Sequence, residues 1–176
     1  MPLNIRPATR EDIPQILTFI QALATYEREP DAVHATESDL LRDGFGPSPR
    51  FHALIADWNE PSTDNQQLAS DKQRVGFALY FHNYSTWRGH HGIHIEDLFV
   101  QPEYRGKGIG KALLTRVAAI AAAEGCTRLQ WDVLEWTTPA IGFYEQLGAK
   151  MLTEWRIMRV TNEAIPALAA QGKQNK

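Results

Sequence analysis

The stretch Val100-Gln101-Pro102-Glu103-Tyr104-Arg105-Gly106-Lys107-Gly108-Ile109-Gly110-Lys111 decides how this chain is read. Before it, His94 to Val100 is an apolar run that reads as a strand ending at Gln101-Pro102. Behind it, Lys111 to Glu124 has a helical pattern closed by Gly125. A strand that passes through glycines into a helix leaves several backbone N–H groups unpaired and aimed one way. Glycines let a ligand approach that backbone closely, and the helix dipole adds partial positive charge. Arg105, Lys107 and Lys111 add full charges, so the junction is an anion cradle suited to a pyrophosphate. The spacing is neither that of a P-loop nor that of a dinucleotide fold. On this feature alone, glycines acting as a plain turn remain the alternative.

Outward from the junction, the chain alternates strands and helices. Ile5 to Ala8 reads as a short strand, and Thr9 with Asp12 as a helix start. Ile13, Ile16, Leu17, Ile20, Leu23 and Ala24 follow at helical spacing, ending near Tyr26. A second helix is expected over Glu37–Asp43, closed by Gly44. Strands are expected over Phe51–Ala56, Val75–Phe81, His94–Val100, Thr127–Val133 and Met151–Val160, with a short helix over Pro139–Leu147. Asn59 to Arg74 reads as a polar surface loop or hairpin turn, and His90-His91 as a hairpin turn. This order implies a mixed α/β sheet with helices on both faces.

The 176 residues fit one domain, 1–176, with a core over about 3–160 and a polar tail at 171–176. The net charge of −3 argues against general nucleic-acid binding, which would favour a basic balance, and it permits cationic small molecules. Cys126 is the one cysteine, so no internal disulfide can form. No apolar run reaches membrane-spanning length and the N-terminus has no signal pattern, so the expectation is a cytoplasmic protein without a membrane partner.

Arg105-Gly106-Lys107-Gly108-Ile109-Gly110 resembles the acetyl-CoA motif Q/R-x-x-G-x-G/A of the GNAT acetyltransferases. Ala140-Ile141-Gly142-Phe143-Tyr144-Glu145-Gln146-Leu147-Gly148-Ala149 resembles that family's later A-x-x-F-Y-x-x-x-G-A/F motif. Two matches in the right order are far more specific than either alone. Ile5 to Thr9, Tyr26-Glu27, Asp43 to Gly46, Tyr84 to Trp87 and Ile95-Glu96-Asp97 further resemble the spermidine/spermine (diamine) acetyltransferases, nearest the thialysine-type branch. The likeness runs from about Leu3 to Trp155. It implies a GNAT fold, a mixed and mostly antiparallel sheet flanked by helices. It also implies an enzyme of the EC 2.3.1 class with acetyl-CoA as cosubstrate, a small amine as acceptor, and a homodimer.

The chemistry asks for particular groups. An amine attacks a thioester only when neutral, whereas a lysine-like amine has an unperturbed pKa near ~10.4. A proton acceptor is therefore needed, often through water. The resemblance puts Glu96 in the substrate site, as amine anchor or proton acceptor, and makes Tyr144 the general acid for the departing thiolate. It places the oxyanion donor on the backbone of Leu98-Phe99-Val100. Cofactor contacts are expected from these three residues, from Arg105 to Lys111, and from Thr137, Thr138, Pro139 and Ala140. Substrate contacts are expected from Tyr26, Glu27, Trp87, Glu96, Gln130, Trp131 and Asp132.

Two departures from the family pattern stand out. Ser85 replaces the Asp that polyamine-specific relatives carry two residues before the tryptophan, which favours a shorter amine such as thialysine, a lysine-like amino acid or a simple diamine. Where the relatives usually show Trp-Asn before the F-Y motif, this chain has Trp136-Thr137-Thr138-Pro139; threonine in place of the Asn can still hydrogen-bond the pantetheine, with shorter reach. His82, His90, His91 and His94 form a loose cluster near Asp97, but the spacing matches no metal motif and no metal is expected. Cys126 is expected to be a buried strand-start residue without a partner base. The alternative functions are acetylation of protein N-termini or lysines, and non-catalytic acyl-CoA binding.

Overall fold

The computed structural model describes residues 2–59 and 72–172. Its strands are β1 (Leu3–Pro7), β2 (His52–Asn59), β3 (Lys72–Ser85), β4 (His90–Val100) and β5 (Leu129–Trp131). Its helices are α1 (Ile13–Tyr26), α2 (Glu37–Phe45), α3 (Ile109–Ala123), α4 (Thr138–Gln146) and α5 (Ala164–Gln171). The contacts divide the chain into two compact units, residues 1–134 and 135–176. None of the described helices is long and apolar enough to cross a membrane.

The first unit holds one sheet in the order β1-β2-β3-β4-β5. The first four strands pair antiparallel and β5 pairs parallel to β4, which is the mixed, mostly antiparallel sheet expected. Strand periodicity assigns the faces. Ala53, Ile55, Phe77, Leu79 and Phe99 pack with Ile13, Ile16 and Phe19 of α1 and Leu40 of α2. The Phe19 ring lies 5.6 Å from Phe77 and from Phe99. The other face packs against α3, whose Leu113, Leu114 and Val117 are buried. Each such side chain contributes roughly 1.5–3 kcal/mol by leaving water.

A buried ion network ties β1, β2 and β3 to the start of α1. Asp12 is fully buried and its carboxylate lies 2.7 Å from Arg6 and 2.6 Å from Arg74. Arg6 also reaches Asp57 at 2.7 Å. Burial alone would raise the Asp12 pKa; hydrogen bonds from Arg6 and the Thr9 N–H outweigh it and hold the carboxyl below its usual range. That stabilisation is present above the ordinary carboxylate pKa and is lost as acid protonates the group. Asp12→Ala would leave two arginines short of a partner, so urea unfolding is expected to show a loss of about 3 kcal/mol.

Several expectations need correction. Gly44 lies inside α2, which ends at Phe45 with Gly46 as its cap. His90 and His91 begin β4 rather than forming the turn, because β3 and β4 pair out to Ser85 opposite His90. Residues 60–71 of the expected polar loop, and 173–176 of the expected tail, lie outside the described residues. Met151–Val160 is not a strand: it has no regular structure, and Leu152, Trp155, Ile157 and Met158 are exposed. A strand exists only through a ladder, and among the described residues no segment pairs with this one. Helix α5 had no counterpart in the sequence reading.

Candidate active site

The centre of the first unit is a fault in β4. Leu79 pairs with Asp97 and Tyr80 with Ile95, so Glu96 has no partner on β3. An extra residue of this kind bends a strand and re-aims its side chains. Ile95 and Asp97 consequently face opposite sides of the sheet, although two residues apart. Asp97 joins Leu79 on the α1 face, and Glu96 stands at the break with an exposed side chain.

Beyond the bulge the sheet splays. β5 pairs only with Ile93 to Ile95, so β4 has no neighbour on that side from Glu96 onward. The Gln101 N–H donates to the Val75 carbonyl at 2.9 Å, which fixes the alternation of the strand. Asp97 and Phe99 therefore bond toward β3, while the Leu98 and Val100 amides point into the open side. The Val100 carbonyl, on that open side, accepts from Arg105 Nε at 3.0 Å. Phe99 itself is core, as expected of its side chain.

The glycine junction follows directly. Gly106 and Gly108 have φ of +75° and +81°, the left-handed region that glycine enters without strain. A Cβ at either position would meet no protein atom within 4 Å, so the space above this backbone is open. The first intrahelical bond of α3 runs from the Ala112 N–H to the Gly108 carbonyl at 3.0 Å. Gly108 has no side chain to cap the helix, which leaves the amides of Ile109, Gly110 and Lys111 available to an anion.

Two of the three local cations hold the loop in place. The Arg105 guanidinium lies 4.9 Å from the Tyr26 ring centroid and 5.9 Å from that of Phe99. Lys107 Nζ lies 4.6 Å from Tyr104 and 5.1 Å from Trp58. Lys111 is exposed on the first turn of α3.

The acidic groups converge at the end of α1. Burial pushes the Asp97 carboxyl up to about 7, with further contributions from the charges of Glu96 and Glu27. Partial loss of water also raises Glu27. His94 Nε2 lies 3.8 Å from the Glu96 carboxylate, and His94 Nδ1 lies 3.3 Å from the Gln130 amide. Glu27, Glu96, Asp97, His94 and Gln130 thus form one connected group. Trp131 lies opposite Ile95 on β5, and Asp132 follows it, exposed. Trp87 stands exposed in the β3–β4 turn, beyond His90, which is itself five strand positions or roughly 17 Å along β4 from Ile95.

The resemblance points to Glu96; the structure adds Asp97 beside it. That the adjacent pair points to opposite faces, so that one acid can face the cleft, is legible in the sequence; which face each takes is not, because the bulge at Glu96 resets the alternation. His94 also separates from the other histidines. It stacks on Phe81 at 5.1 Å and belongs with Glu96.

The second unit, taken by itself, contains α4. Thr137 is buried at its start, and its carbonyl accepts from Ala140 N–H at 2.9 Å and Ile141 N–H at 3.1 Å. Thr138 and Pro139 are exposed on the first turn, where proline's missing N–H costs no bond. Tyr144 is half-buried, with its ring 5.1 Å from Phe143. The helix ends at Gly148, whose φ is +91°, and the Ala149 N–H returns to the Tyr144 carbonyl at 3.1 Å.

Residues 24–149 match the Acetyltransferase (GNAT) family. The chain is 40% identical over 170 residues to a thialysine N-epsilon-acetyltransferase of Bos taurus, covering 95% of this chain and 97% of that protein. It is 35% identical over 199 residues to an L-ornithine N5-acetyltransferase of Arabidopsis thaliana, covering 94% of this chain and 87% of that protein. Among solved structures, an integron cassette protein from V. cholerae superposes with a TM-score of 0.74 at 24% identity, covering 96% and 98% of the two chains.

Proposed function

The chain belongs to the GNAT acetyltransferase family, and from that premise we propose that it moves an acetyl group from acetyl-CoA to the side-chain amine of a small cationic molecule. The acceptor class is a thialysine- or ornithine-like amino acid or a short diamine. The observation that carries this reading is the acidic group of Glu27, Glu96 and Asp97 beside a splayed strand and an uncapped helix start. Three acids suit a protonated amine. The open glycine junction suits a pyrophosphate, so the residues present fit the CoA carrier.

Attack is direct, within a ternary complex. The amine nitrogen would bond to the thioester carbonyl carbon as the C=O π pair moves to oxygen, and that pair would return as the C–S bond breaks and the thiolate leaves. Glu96 anchors the incoming cation. Asp97, whose carboxylate forms as pH rises through about 7, accepts the amine proton through water. The outward amides of Leu98 and Val100 donate to the developing oxyanion. The Tyr144 hydroxyl gives a proton to the departing sulfur. Thr137, Thr138 and Ala140 lie along the start of the helix that carries Tyr144 and take the pantetheine arm. A cytoplasmic homodimer is the assembly that accompanies this reading.

The raised Asp97 carboxyl has a pH consequence. Its acceptor form is lost as pH falls through about 7, so kcat/KM is expected to rise with pH across that value. Asp97→Asn should remove this limb and lower kcat/KM about tenfold at neutral pH, Glu96 remaining as a poorer acceptor. A profile unchanged in the variant would assign the proton elsewhere.

The reading itself is tested by incubating the protein with acetyl-CoA and a panel of amines while following free thiol. Thiol release with thialysine or ornithine, and less with spermine, is expected. Release only with peptides would favour a protein acetyltransferase, and CoA binding without release to any amine would favour a binding module.

A further inference from the structure

One cluster of ligating side chains takes no part in this chemistry. It lies on the sheet face opposite Asp97. Leu79 is on the α1 face, so His82, three residues along β3, projects from the α3 face. Tyr84 pairs with His91, which puts His91 on that same face. The C-terminal end of α3 meets them there. His82 Nε2 lies 2.7 Å from Glu124 Oε2. One donor atom each from His91, Glu124 and Cys126 lies within 4.8 Å of the others.

The turn between Glu124 and Cys126 is held firmly. Gly125 has φ +71°, Cys126 N–H donates to the Ala121 carbonyl at 2.8 Å, and Thr127 N–H donates to the His91 carbonyl at 3.2 Å. The last bond fixes the cysteine turn to β4 at the histidine concerned. The rings are also oriented from behind. His90 stacks on His91 at 4.8 Å, and His52 meets His82 edge-on at 5.8 Å.

The geometry points to a binding site for one zinc-class divalent cation formed by His82, His91, Glu124 and Cys126. A mixed sulfur, nitrogen and oxygen set suits a borderline-soft ion and not Ca²⁺ or Mg²⁺, which take oxygen ligands. Tetrahedral zinc has Zn–S near ~2.3 Å and Zn–N near ~2.0–2.1 Å, which places ligand atoms roughly 3.3–3.8 Å apart. The donor atoms of His91, Glu124 and Cys126, within 4.8 Å of one another, need only draw in to reach that range, while His82 Nε2 and Glu124 Oε2, 2.7 Å apart, part to admit the ion between them. Cys126 binds as thiolate, and its proton passes to solvent. The side chains of His82 and Glu124 are 39% and 41% exposed, which leaves a path for the ion. Bound there, the ion ties the end of α3 to the β3–β4 hairpin, across the sheet from the acidic group.

The test is titration of the full, chelator-treated chain with Zn²⁺ by calorimetry and with Co²⁺ by absorption. One Zn²⁺ per chain is expected. The cobalt form should show tetrahedral visible bands and a near-ultraviolet thiolate charge-transfer band. Cys126→Ser should remove that band, and Cys126→Ser and His91→Ala should each weaken Zn²⁺ binding at least about tenfold. His34→Ala, at an exposed histidine outside the cluster, should leave it unchanged. Acetyl-CoA binding reports that each variant is folded. The wild-type cobalt spectrum alone decides whether a thiolate ligates, whatever the variants do. No uptake of Zn²⁺, a cobalt spectrum without thiolate charge transfer, or undiminished affinity in both folded variants would overturn the assignment.

Discussion

Tyr144→Phe is expected to lower kcat by about 10²–10³-fold and to leave the KM for acetyl-CoA within about twofold. The substitution removes one hydroxyl and keeps the ring. Packing against Phe143 and the bonds that close α4 at Gly148 and Ala149 do not involve that hydroxyl. What is lost is a proton donor for the departing thiolate, and a phenol with an ordinary pKa near ~10 retains its proton at neutral pH. Steady-state kinetics separate this role from packing, because a packing defect would raise KM or lower thermal stability as well. Full turnover in the variant would remove the general acid from the mechanism.

Gly108→Val is expected to weaken acetyl-CoA binding about 100-fold in a calorimetric titration. Two effects combine. A β-branched residue at φ +81° stores roughly 1–3 kcal/mol of backbone strain. Its side chain would also fill the open space from which a pyrophosphate approaches the α3 amides. Gly89→Val separates the two. Gly89 has φ +62° and an equally open Cβ position, but it sits in the β3–β4 turn. That variant should show the strain as reduced stability while binding acetyl-CoA as the wild type does. Equal loss of binding in both would make the effect one of stability alone.

Local pattern made the scaffold legible. The spacing of Ile13, Ile16 and Leu17 marks α1, and the glycine run ahead of Lys111 marks the start of α3. Apolar runs mark β2, β3 and β4, although polar ends of β3 and β4 hid how far the hairpin extends. Non-local relations could not be read. The bulge at Glu96 exists only in the register between two strands, and it is the bulge that sends Asp97 to the α1 face. Met151 to Val160 carries a strand's composition, yet composition cannot supply the partner that a ladder needs. The histidines divide for the same reason. His94 and His91 are three residues apart in sequence and lie on opposite faces of one sheet, one beside Glu96 and the other beside Glu124 and Cys126.

The candidate site was legible to a different degree in each part. The motif around Arg105 to Gly110 located the open amides, but not that Arg105 and Lys107 lie against aromatic rings. The expected substrate contact of Tyr26 says nothing of its second role, the ring under Arg105. An acidic, aromatic-lined channel would include Trp87, which the hairpin carries to the far end of the strand pair.

The central claim is that main-chain amides at the start of α3 hold the acyl carrier. Backbone amide resonances recorded during a titration with acetyl-CoA test it most directly. The account predicts that the largest shifts fall on Gly106, Gly108, Ile109, Gly110 and Lys111, with Leu98 and Val100 following. Saturable binding that leaves those amides unmoved, or no binding at all, would contradict it.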